Sequence, residues 1–209
     1  MAIILRNSIH EKGELAVWRV DETPEDLLEI LKEHKIYAEI PFFRNPKRVS
    51  EWLATRALLS ELGVKQRIIY NELGKPSLEG ENTYLSISHS GPYVAVIVHP
   101  EFQVGIDVEI TGERIHKVSH KFVNDFERSW ISAEHETLLL YIIWGAKECA
   151  FKIYSLGSVD FRDDLFVEPI AFEERGITKV HFKKDENDCI YQVFFQYLDN
   201  LMITYAIAL

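Results

Sequence analysis

One segment restricts the possible folds more than any other, a long helix predicted from about Thr137 to Tyr154. Its first half, the sequence LLLYIIW, is apolar on all sides, which is typical of a helix that is buried all around. Strand-like runs are predicted before this helix and again over residues 166–209, with turns near residues 185–188 and 199–200. Mixed strands and helices with antiparallel pairing predict an α+β architecture.

The composition is that of a globular protein. The 209 residues are 47% hydrophobic and 27% charged, which excludes a disordered, collagen-like or low-complexity chain. The length fits one large domain or two small domains of roughly 100 residues each. The formal net charge is −10, which argues against non-specific nucleic-acid binding, because that binding depends on clustered Lys and Arg.

The cysteines and the apolar runs indicate a cytoplasmic protein. Cys149 and Cys189 share no metal-ligand spacing, and such sparse cysteine usage is typical of a reducing compartment. The apolar stretch at residues 2–5 is too short for the core of a signal peptide, and the longest apolar run, residues 138–146, is too short to span a membrane. We therefore expect a cytoplasmic protein with no membrane or nucleic-acid partner, and we expect it to be a monomer.

Local patterns predict several elements in the first half of the chain. Residues 14–20 are typical of a strand, and Thr23 followed by Pro indicates the start of a helix. A second helix is predicted from about Lys47 to Leu62, with Gly63 as its carboxyl-terminal cap. Three β-rich runs follow and predict a meander, namely Tyr84–Ser88, Tyr93–Val98 and Val104–Ile110.

The meander makes a prediction about side chains. If consecutive runs pair, the last residues of the third run lie at the same sheet edge as His89. Chain order therefore predicts that His89, Asp107 and Glu109 gather at one end of a sheet.

The third run carries two carboxylates in strict alternation with apolar residues. Asp107 and Glu109 point to one face, about 6.6 Å apart along a strand that rises about 3.3 Å per residue. Two carboxylates at this spacing can converge on one cation, and their hard oxygens suit Mg²⁺ or Ca²⁺. Taken alone, the run is better explained as an ordinary half-buried strand with its polar face in water.

A charged pair in the long helix favours a functional site. Glu148 and Lys152 are four residues apart and share a helix face, and such pairs usually lie on the surface and contribute only a few tenths of a kcal/mol. Here the neighbours are apolar, and a charge in such surroundings costs several kcal/mol unless a partner compensates it. A metal ion at Glu148 and a phosphate at Lys152 would compensate both charges.

Single residues elsewhere are ambiguous. His89, beside a Gly-Pro turn, could donate a hydrogen bond to a phosphate, but a lone His is more often structural. Lys75 lies in a turn and is uninformative by itself. Arg48 and Arg56 are eight residues apart, so they project from nearly the same helix face, as residues of a solvated helix edge also would.

Five short motifs in order make the chain similar to the 4′-phosphopantetheinyl transferases. They are GKP (74–76), SISHS (86–90), VGIDVE (104–109), KFVNDFE (121–127) and WGAKECAFK (144–152). The length resembles the Sfp-like kind, which implies two similar α/β halves in a pseudo-twofold arrangement with the active site between them. On this basis residues 1–101 would contact the adenosine and phosphates of coenzyme A, and residues 102–209 would carry the metal site and the catalytic helix.

The resemblance also implies an activity. Members of the family transfer the 4′-phosphopantetheine group of coenzyme A to a serine of an apo acyl or peptidyl carrier protein, and they release 3′,5′-ADP. The implied cofactor is Mg²⁺, and Mn²⁺ also suits oxygen ligands. The implied partners are coenzyme A and the carrier protein.

The matching positions imply roles for particular residues. The metal-binding acids would be Asp107, Glu109 and Glu148, and Glu148 would also take the serine proton. The residues implied to contact coenzyme A are Lys152 and His89 at its phosphates, Arg48 near its adenosine, and Lys75 and Ser88 in motifs that line the nucleotide site. Glu127 falls where some members carry a further acid near the metal.

The chain departs from the family pattern at three places. Gly145 replaces the Ser or Thr common after the Trp, which would loosen the helix without removing a ligand. Asn124 and Asp125 replace a more usual Ser-containing stretch, which makes Glu127 the least secure assignment. The first 45 residues align poorly, so no role follows for the basic residues Lys32, Lys35 and Lys47.

Two other functions are compatible with the sequence. One is a carrier-binding module without catalysis, which the presence of all the implied acids and Lys152 disfavours. The other is a metal-dependent phosphoesterase acting on a coenzyme A-like pyrophosphate, and only the resemblance favours a protein serine over water as acceptor. Because carrier proteins are often acidic, we expect docking through apolar contacts or a local basic patch. We also expect a bound metal to lower the pKa of Glu148, so that activity falls in acid.

Overall fold

The computed structural model describes residues 2–34, 40–184 and 186–208. Lys35, and Asp185 in one predicted turn, lie outside these residues. By its contacts the chain divides into two compact units, Met1–Glu101 and Phe102–Leu209. Within the described ranges, no helix combines the length and the hydrophobicity needed to cross a membrane.

The first unit is built on a four-stranded antiparallel sheet. Its elements in chain order are β1 (Ala2–Ile9), β2 (Gly13–Arg19), α1 (Pro24–Glu33), α2 (Pro46–Glu61), β3 (Ile68–Tyr70), β4 (Pro76–Leu78), β5 (Tyr84–Ser90) and β6 (Tyr93–His99). The sheet order is β1-β2-β6-β5, and β3 and β4 form a separate hairpin. The two helices and the sheet share one apolar core, whose largest members include Trp18, Leu27, Leu53 and Leu58.

The helix ends of this unit follow their local sequence. The Thr23 side chain accepts a hydrogen bond from the Asp26 backbone N–H, and the Asp26 side chain accepts one from the Thr23 backbone, so a capping box forms at the predicted start of α1. Gly63 follows α2 with a φ of +80°, a left-handed conformation that costs glycine little. Both helix predictions are confirmed.

The second unit is a five-stranded antiparallel sheet packed against one long helix. Its elements are β7 (Val104–Ile110), α3 (Arg114–Val118), α4 (Asp125–Trp130), α5 (Glu136–Tyr154), β8 (Leu165–Val167), β9 (Arg175–Lys184), β10 (Asn187–Leu198) and β11 (Leu201–Ile207), with 3₁₀ turns at Ser119–Lys121 and Ala133–His135. The sheet order is β7-β11-β10-β9-β8. The predicted buried helix is confirmed, since residues 139–143 of α5 are all buried. The α+β class is confirmed as well.

The helix α5 lies unusually close to β7 and β11. A Cβ atom added at Gly105 of β7 would lie 2.3 Å from the Cys149 carbonyl oxygen, and one added at Gly145 of α5 would lie 2.2 Å from Thr204 Oγ1. Both glycines are therefore needed for this approach. Gly145, expected from the sequence to loosen the helix, is instead a packing residue.

The predicted three-stranded meander is wrong. Strands β5 and β6 pair as expected, but β7 pairs with β11, with Asp107 opposite Thr204. The expectation that His89 shares a sheet edge with Asp107 and Glu109 is therefore also wrong, since His89 lies on β5 of the first unit. The prediction assumed that consecutive strands are neighbours, whereas the partner of β7 lies almost a hundred residues later in the chain.

Candidate active site

The strand acid Asp107 and the helix lysine Lys152 lie in direct contact. Lys152 Nζ donates hydrogen bonds to Asp107 Oδ1 at 2.9 Å and to the Ile106 carbonyl oxygen at 2.7 Å. Burial lowers the pKa of Lys152, but the charge of Asp107 and its neighbours outweighs this effect, and the pKa is raised. The structure therefore brings together one residue from each of the two predicted clusters.

Glu148 is the carboxylate of α5 that lies among these charges, one turn before Lys152. Burial raises its pKa to about 7, and the nearby carboxylate of Asp107 adds to the rise. Lys152 opposes the shift, and Glu109 contributes in the same direction as Asp107. Asp107 and Glu109 are thus both close enough to Glu148 to disfavour its charged form.

Glu109 has a partner that the sequence did not reveal. Arg114, at the start of α3, donates a hydrogen bond from Nη2 to Glu109 Oε2 at 2.8 Å. The pKa of Arg114 is raised, first by its hydrogen bond with Tyr141 and then by the charge of Glu109. Glu109 lies near the end of β7 and Arg114 at the start of α3, so neither strand nor helix periodicity predicts their contact.

The donor set fits a hard divalent cation, although a finished coordination shell is not formed. Asp107, Glu109 and Glu148 offer only carboxylate oxygens, the ligands that Mg²⁺ and Mn²⁺ prefer. Across the described ranges, however, no three His, Cys, Asp or Glu side chains are arranged to hold an ion. In this arrangement Lys152 is paired with Asp107, and Arg114 is paired with Glu109.

Glu127 lies in a different environment from the other acids. Its side chain is fully buried, and its carboxylate accepts hydrogen bonds from the backbone N–H groups of Asn124 and Val167. Lys147 Nζ lies 2.8 Å from the same carboxylate. The structure therefore makes Glu127 the capping-box acid of α4 and the partner of Lys147, and the metal role implied by the resemblance stays a prediction.

In the first unit, Arg48 and His89 line one groove of about 320 Å³. Glu51 lies between them, with its Oε2 3.7 Å from His89 Nε2 and 4.0 Å from Arg48 Nε. The other lining residues are Pro41, Phe43, Trp52, Thr55, Arg56, Tyr70 and Ile87. This is a concave surface with convergent polar groups, as small-molecule sites generally have.

Arg56 is the groove residue that sequence reasoning left undecided. Its guanidinium carbon lies 3.4 Å from the centroid of the Trp52 ring, a cation–π contact. Burial lowers the pKa of Arg56, and its interaction with Tyr70 opposes that effect. The shared helix face of Arg48 and Arg56 was a usable sign of this groove.

Lys75 and Ser88 are not among the lining residues of that groove. Ser88 is buried and, because side chains alternate along β5, it points away from the face that carries His89. Lys75 lies in the turn between β3 and β4, and burial lowers its pKa.

Comparison with known proteins identifies the second unit. The family model described as the 4′-phosphopantetheinyl transferase superfamily matches residues 103–206, almost the whole of that unit. The 4′-phosphopantetheinyl transferase AcpT of Escherichia coli O157:H7 is 31% identical over 116 residues, which cover 52% of this chain and 59% of that protein.

A second relative gives the same result. AcpT of Salmonella typhi, also a 4′-phosphopantetheinyl transferase, is 30% identical over 112 residues, or 50% of this chain and 58% of that protein. The chain thus spans less than two thirds of the length of these relatives. Since the match covers the unit that carries Asp107, Glu148 and Lys152, the chain belongs to the 4′-phosphopantetheinyl transferase superfamily.

Proposed function

We propose that this protein transfers the 4′-phosphopantetheine group of coenzyme A to a serine of an apo acyl or peptidyl carrier protein and releases 3′,5′-ADP. One observation carries the proposal. Lys152 on α5 contacts Asp107 on β7 at 2.9 Å, beside the half-buried carboxyl group of Glu148. Such a cluster can bind an anionic phosphate and remove a proton at the same place.

We further propose that the reaction depends on Mg²⁺ held by Asp107, Glu109 and Glu148. For this, Lys152 and Arg114 must turn away from the carboxylates that they contact. A bound Mg²⁺ supplies positive charge that offsets the charge developing on the phosphoryl oxygens.

Glu148 is the proposed base. In the absence of a metal its pKa of about 7 is close to neutral pH, where a general base is most effective. It takes the proton of the carrier serine, directly or through a water. Lys152, released from Asp107, then contacts the phosphates and stabilises the departing 3′,5′-ADP.

The groove of the first unit is the proposed nucleotide site. Arg48 and His89 face it from α2 and β5, and both can donate hydrogen bonds to phosphate oxygens. Trp52 and Tyr70 add aromatic surface, on which a purine ring can stack. We also propose that Lys75 and Ser88 serve the same ligand, as the resemblance implies.

A basic segment of the second unit is the proposed docking surface for the carrier. Residues 114–121 contain no Asp or Glu in a chain with net charge −10. The exposed side chains include Arg114, Lys117, His120 and Lys121, with Val118 exposed among them. Because Arg114 also holds Glu109, this surface lies next to the proposed base and its acids. An acidic carrier protein would be attracted here despite the overall repulsion.

We place the reaction in the cytoplasm and expect a monomeric enzyme. Both cysteines are free, as is usual in a reducing compartment.

One assay tests the function. The protein is incubated with coenzyme A, Mg²⁺ and an apo-carrier protein, and the carrier is then weighed by mass spectrometry. A gain of one phosphopantetheine on the carrier supports the proposal. Free phosphopantetheine with an unchanged carrier shows hydrolysis instead, and complex formation without either product shows a binding module. Both of those results contradict the proposal.

A further inference from the structure

Lys147 is a fully buried charged residue that the proposed chemistry does not use. It lies on α5 immediately before Glu148, and its side chain has no exposed surface. Its Nζ donates hydrogen bonds to the carbonyl oxygens of Phe122 at 2.6 Å and Phe161 at 2.7 Å. The carboxylate of Glu127, 2.8 Å away, is its third partner.

Glu127 extends these contacts to the rest of the unit. Its two oxygens accept hydrogen bonds from the backbone N–H of Asn124 at 2.9 Å and of Val167 at 2.8 Å. The pair therefore connects α5 with the amino-terminal end of α4, with β8, and with the segments around Phe122 and Phe161. Each of these hydrogen bonds has a preferred direction, so the pair fits only one rotation of α5 about its axis.

Stability alone does not explain such a pair. Two buried charges lose their hydration, and apolar residues of similar size often stabilise a protein equally well. What directional hydrogen bonds add is a defined geometry. Successive helix residues point about 100° apart around the axis, so fixing the side chain of Lys147 also fixes the direction of Glu148.

The opposite side of α5 is restrained by close packing. Gly105 lies against the backbone of Cys149, and Gly145 lies against Thr204, so neither contact leaves space for a shift of the helix toward the sheet. Lys147 and the two glycines therefore restrain α5 from different sides, and Glu148 lies between these restraints.

We propose that the buried Lys147–Glu127 ion pair is a positioning device, which sets the rotation of α5 so that Glu148 faces Asp107 and Glu109. Lys147 and Glu127 are positioning residues rather than catalytic ones, because they act through Glu148. The inference rests on the function proposed above, since it assigns the pair to the geometry of the proposed base.

The test replaces both charges at once. Lys147→Met/Glu127→Gln is made in a Cys189→Ser background, which serves as the parent. No uncompensated charge remains, but the Phe122 and Phe161 carbonyl oxygens lose their donor, so we expect a moderately lower urea midpoint than that of the parent. We expect kcat for transfer to fall about 10- to 100-fold through misplacement of Glu148. The KM for coenzyme A should change less than about twofold, because the proposed nucleotide groove lies in the other unit.

A second readout is independent of catalysis. Cys149 is completely buried and follows Glu148 directly, so its reaction with Ellman's reagent reports how often α5 leaves the sheet. We expect the double variant to react about tenfold faster than the parent, and faster than a control variant of similar urea midpoint. Val193→Ala, which removes buried volume from β10 without changing the pair, is the control for general destabilisation and should keep the parent's kcat.

The outcomes separate the two proposals. A lower kcat together with faster labelling of Cys149 supports the positioning role. If the double variant keeps both the kcat and the labelling rate of the parent, the proposal is wrong. Glu127→Asp, which keeps both charges but shortens the side chain that holds Lys147, is measured in parallel. It should show a smaller loss of kcat than the double variant, and it tests the proposal even if the double variant fails to fold. If the parent itself transfers nothing, the proposed function fails, while the labelling rates still decide whether the pair holds α5.

Discussion

At the scale of single residues, Asp107 is the group on which the proposed site depends most. We expect Asp107→Ala to lower the transfer rate by about 10²-fold or more, because the variant loses both a metal ligand and the contact of Lys152. The fold should persist, since Lys152 keeps the Ile106 carbonyl and Glu148 loses a repelling neighbour. Mass-spectrometric rates and circular dichroism measure the two effects.

Asp188→Ala, at an exposed position of β10, is the matched control and should change neither the transfer rate nor the fold. Normal turnover of Asp107→Ala in Mg²⁺ would show that the proposed metal site is wrong.

The raised pKa of Glu148 predicts how stability depends on pH. Its pKa of about 7 in the folded protein lies above the ordinary value of 4.5, so the folded state binds this proton more tightly than the unfolded state does. The stabilising contribution of Glu148 protonation is therefore fully present below pH 4.5 and is lost as the pH rises through about 7.

Glu148→Gln removes this loss. Without metal, we expect the variant to be more stable than the natural protein at pH 8 by about 1 to 3 kcal/mol, and nearly equal to it at pH 4.5. Urea unfolding in EDTA at both pH values measures the difference. An advantage of the same size at both pH values would contradict the assignment.

Arg48 tests the nucleotide groove. Its side chain lines the groove but lies far along the chain from the proposed base, so we expect Arg48→Ala to weaken coenzyme A binding by about tenfold and to change kcat little. Calorimetric titration with coenzyme A measures the affinity. Arg6→Ala on β1 is the control, and an unchanged affinity of Arg48→Ala would place the nucleotide elsewhere.

At the scale of elements, the contact between α5 and β11 depends on one glycine. A side chain at residue 145 would meet Thr204 Oγ1 at 2.2 Å, so we expect Gly145→Ser to destabilise the protein by about 1 to 3 kcal/mol. Adding Thr204→Ala makes space and should restore part of the lost stability. Urea unfolding of Gly145→Ser, Thr204→Ala and the double variant measures the effect. Additive losses in the double variant would mean that the two residues do not interact.

Elements defined by short-range patterns could be predicted, and those defined by distant partners could not. The capping Thr23, Gly63 and the apolar first half of α5 are each defined within a few residues, and the sequence located all three correctly. Strand β1 was missed, because only residues 2–5 of it form an apolar run. The pairing of β7 with β11 was missed because alternation shows that a strand exists but not which strand it joins.

In the candidate site, too, short-range patterns could be predicted from the sequence and contacts between distant segments could not. The spacing of Glu148 and Lys152 on one helix turn, and the alternation of β7, predicted which side chains face a common region. The Arg114–Glu109 and Lys147–Glu127 contacts depend on how α3 and α4 fold back on β7 and α5, which no local spacing encodes.

At the scale of the whole molecule, the uneven distribution of charge predicts salt-dependent recognition. We expect Lys117→Glu/Lys121→Glu to raise the KM for an acidic carrier protein about tenfold, since it reverses the charge of the proposed docking surface. The kcat at saturating carrier should stay unchanged, and the difference should shrink at 1 M salt because of screening. Steady-state kinetics at two salt concentrations measure both effects.

Lys179→Glu/Lys183→Glu reverses two exposed charges on β9 and is the control. An equal rise of KM in both double variants would indicate a general charge effect rather than docking at residues 114–121.

The pairing of β7 with β11 also has a consequence for protein synthesis. On the ribosome, the stretch bearing Asp107 leaves the exit tunnel before residues 201–207 are made, so its hydrogen-bonding edge has no native neighbour until then. The strand that carries Asp107 and Glu109 therefore cannot complete its sheet before β11 has been synthesised. Nascent fragments that stop short of residue 201 should accordingly be inert toward the proposed carrier.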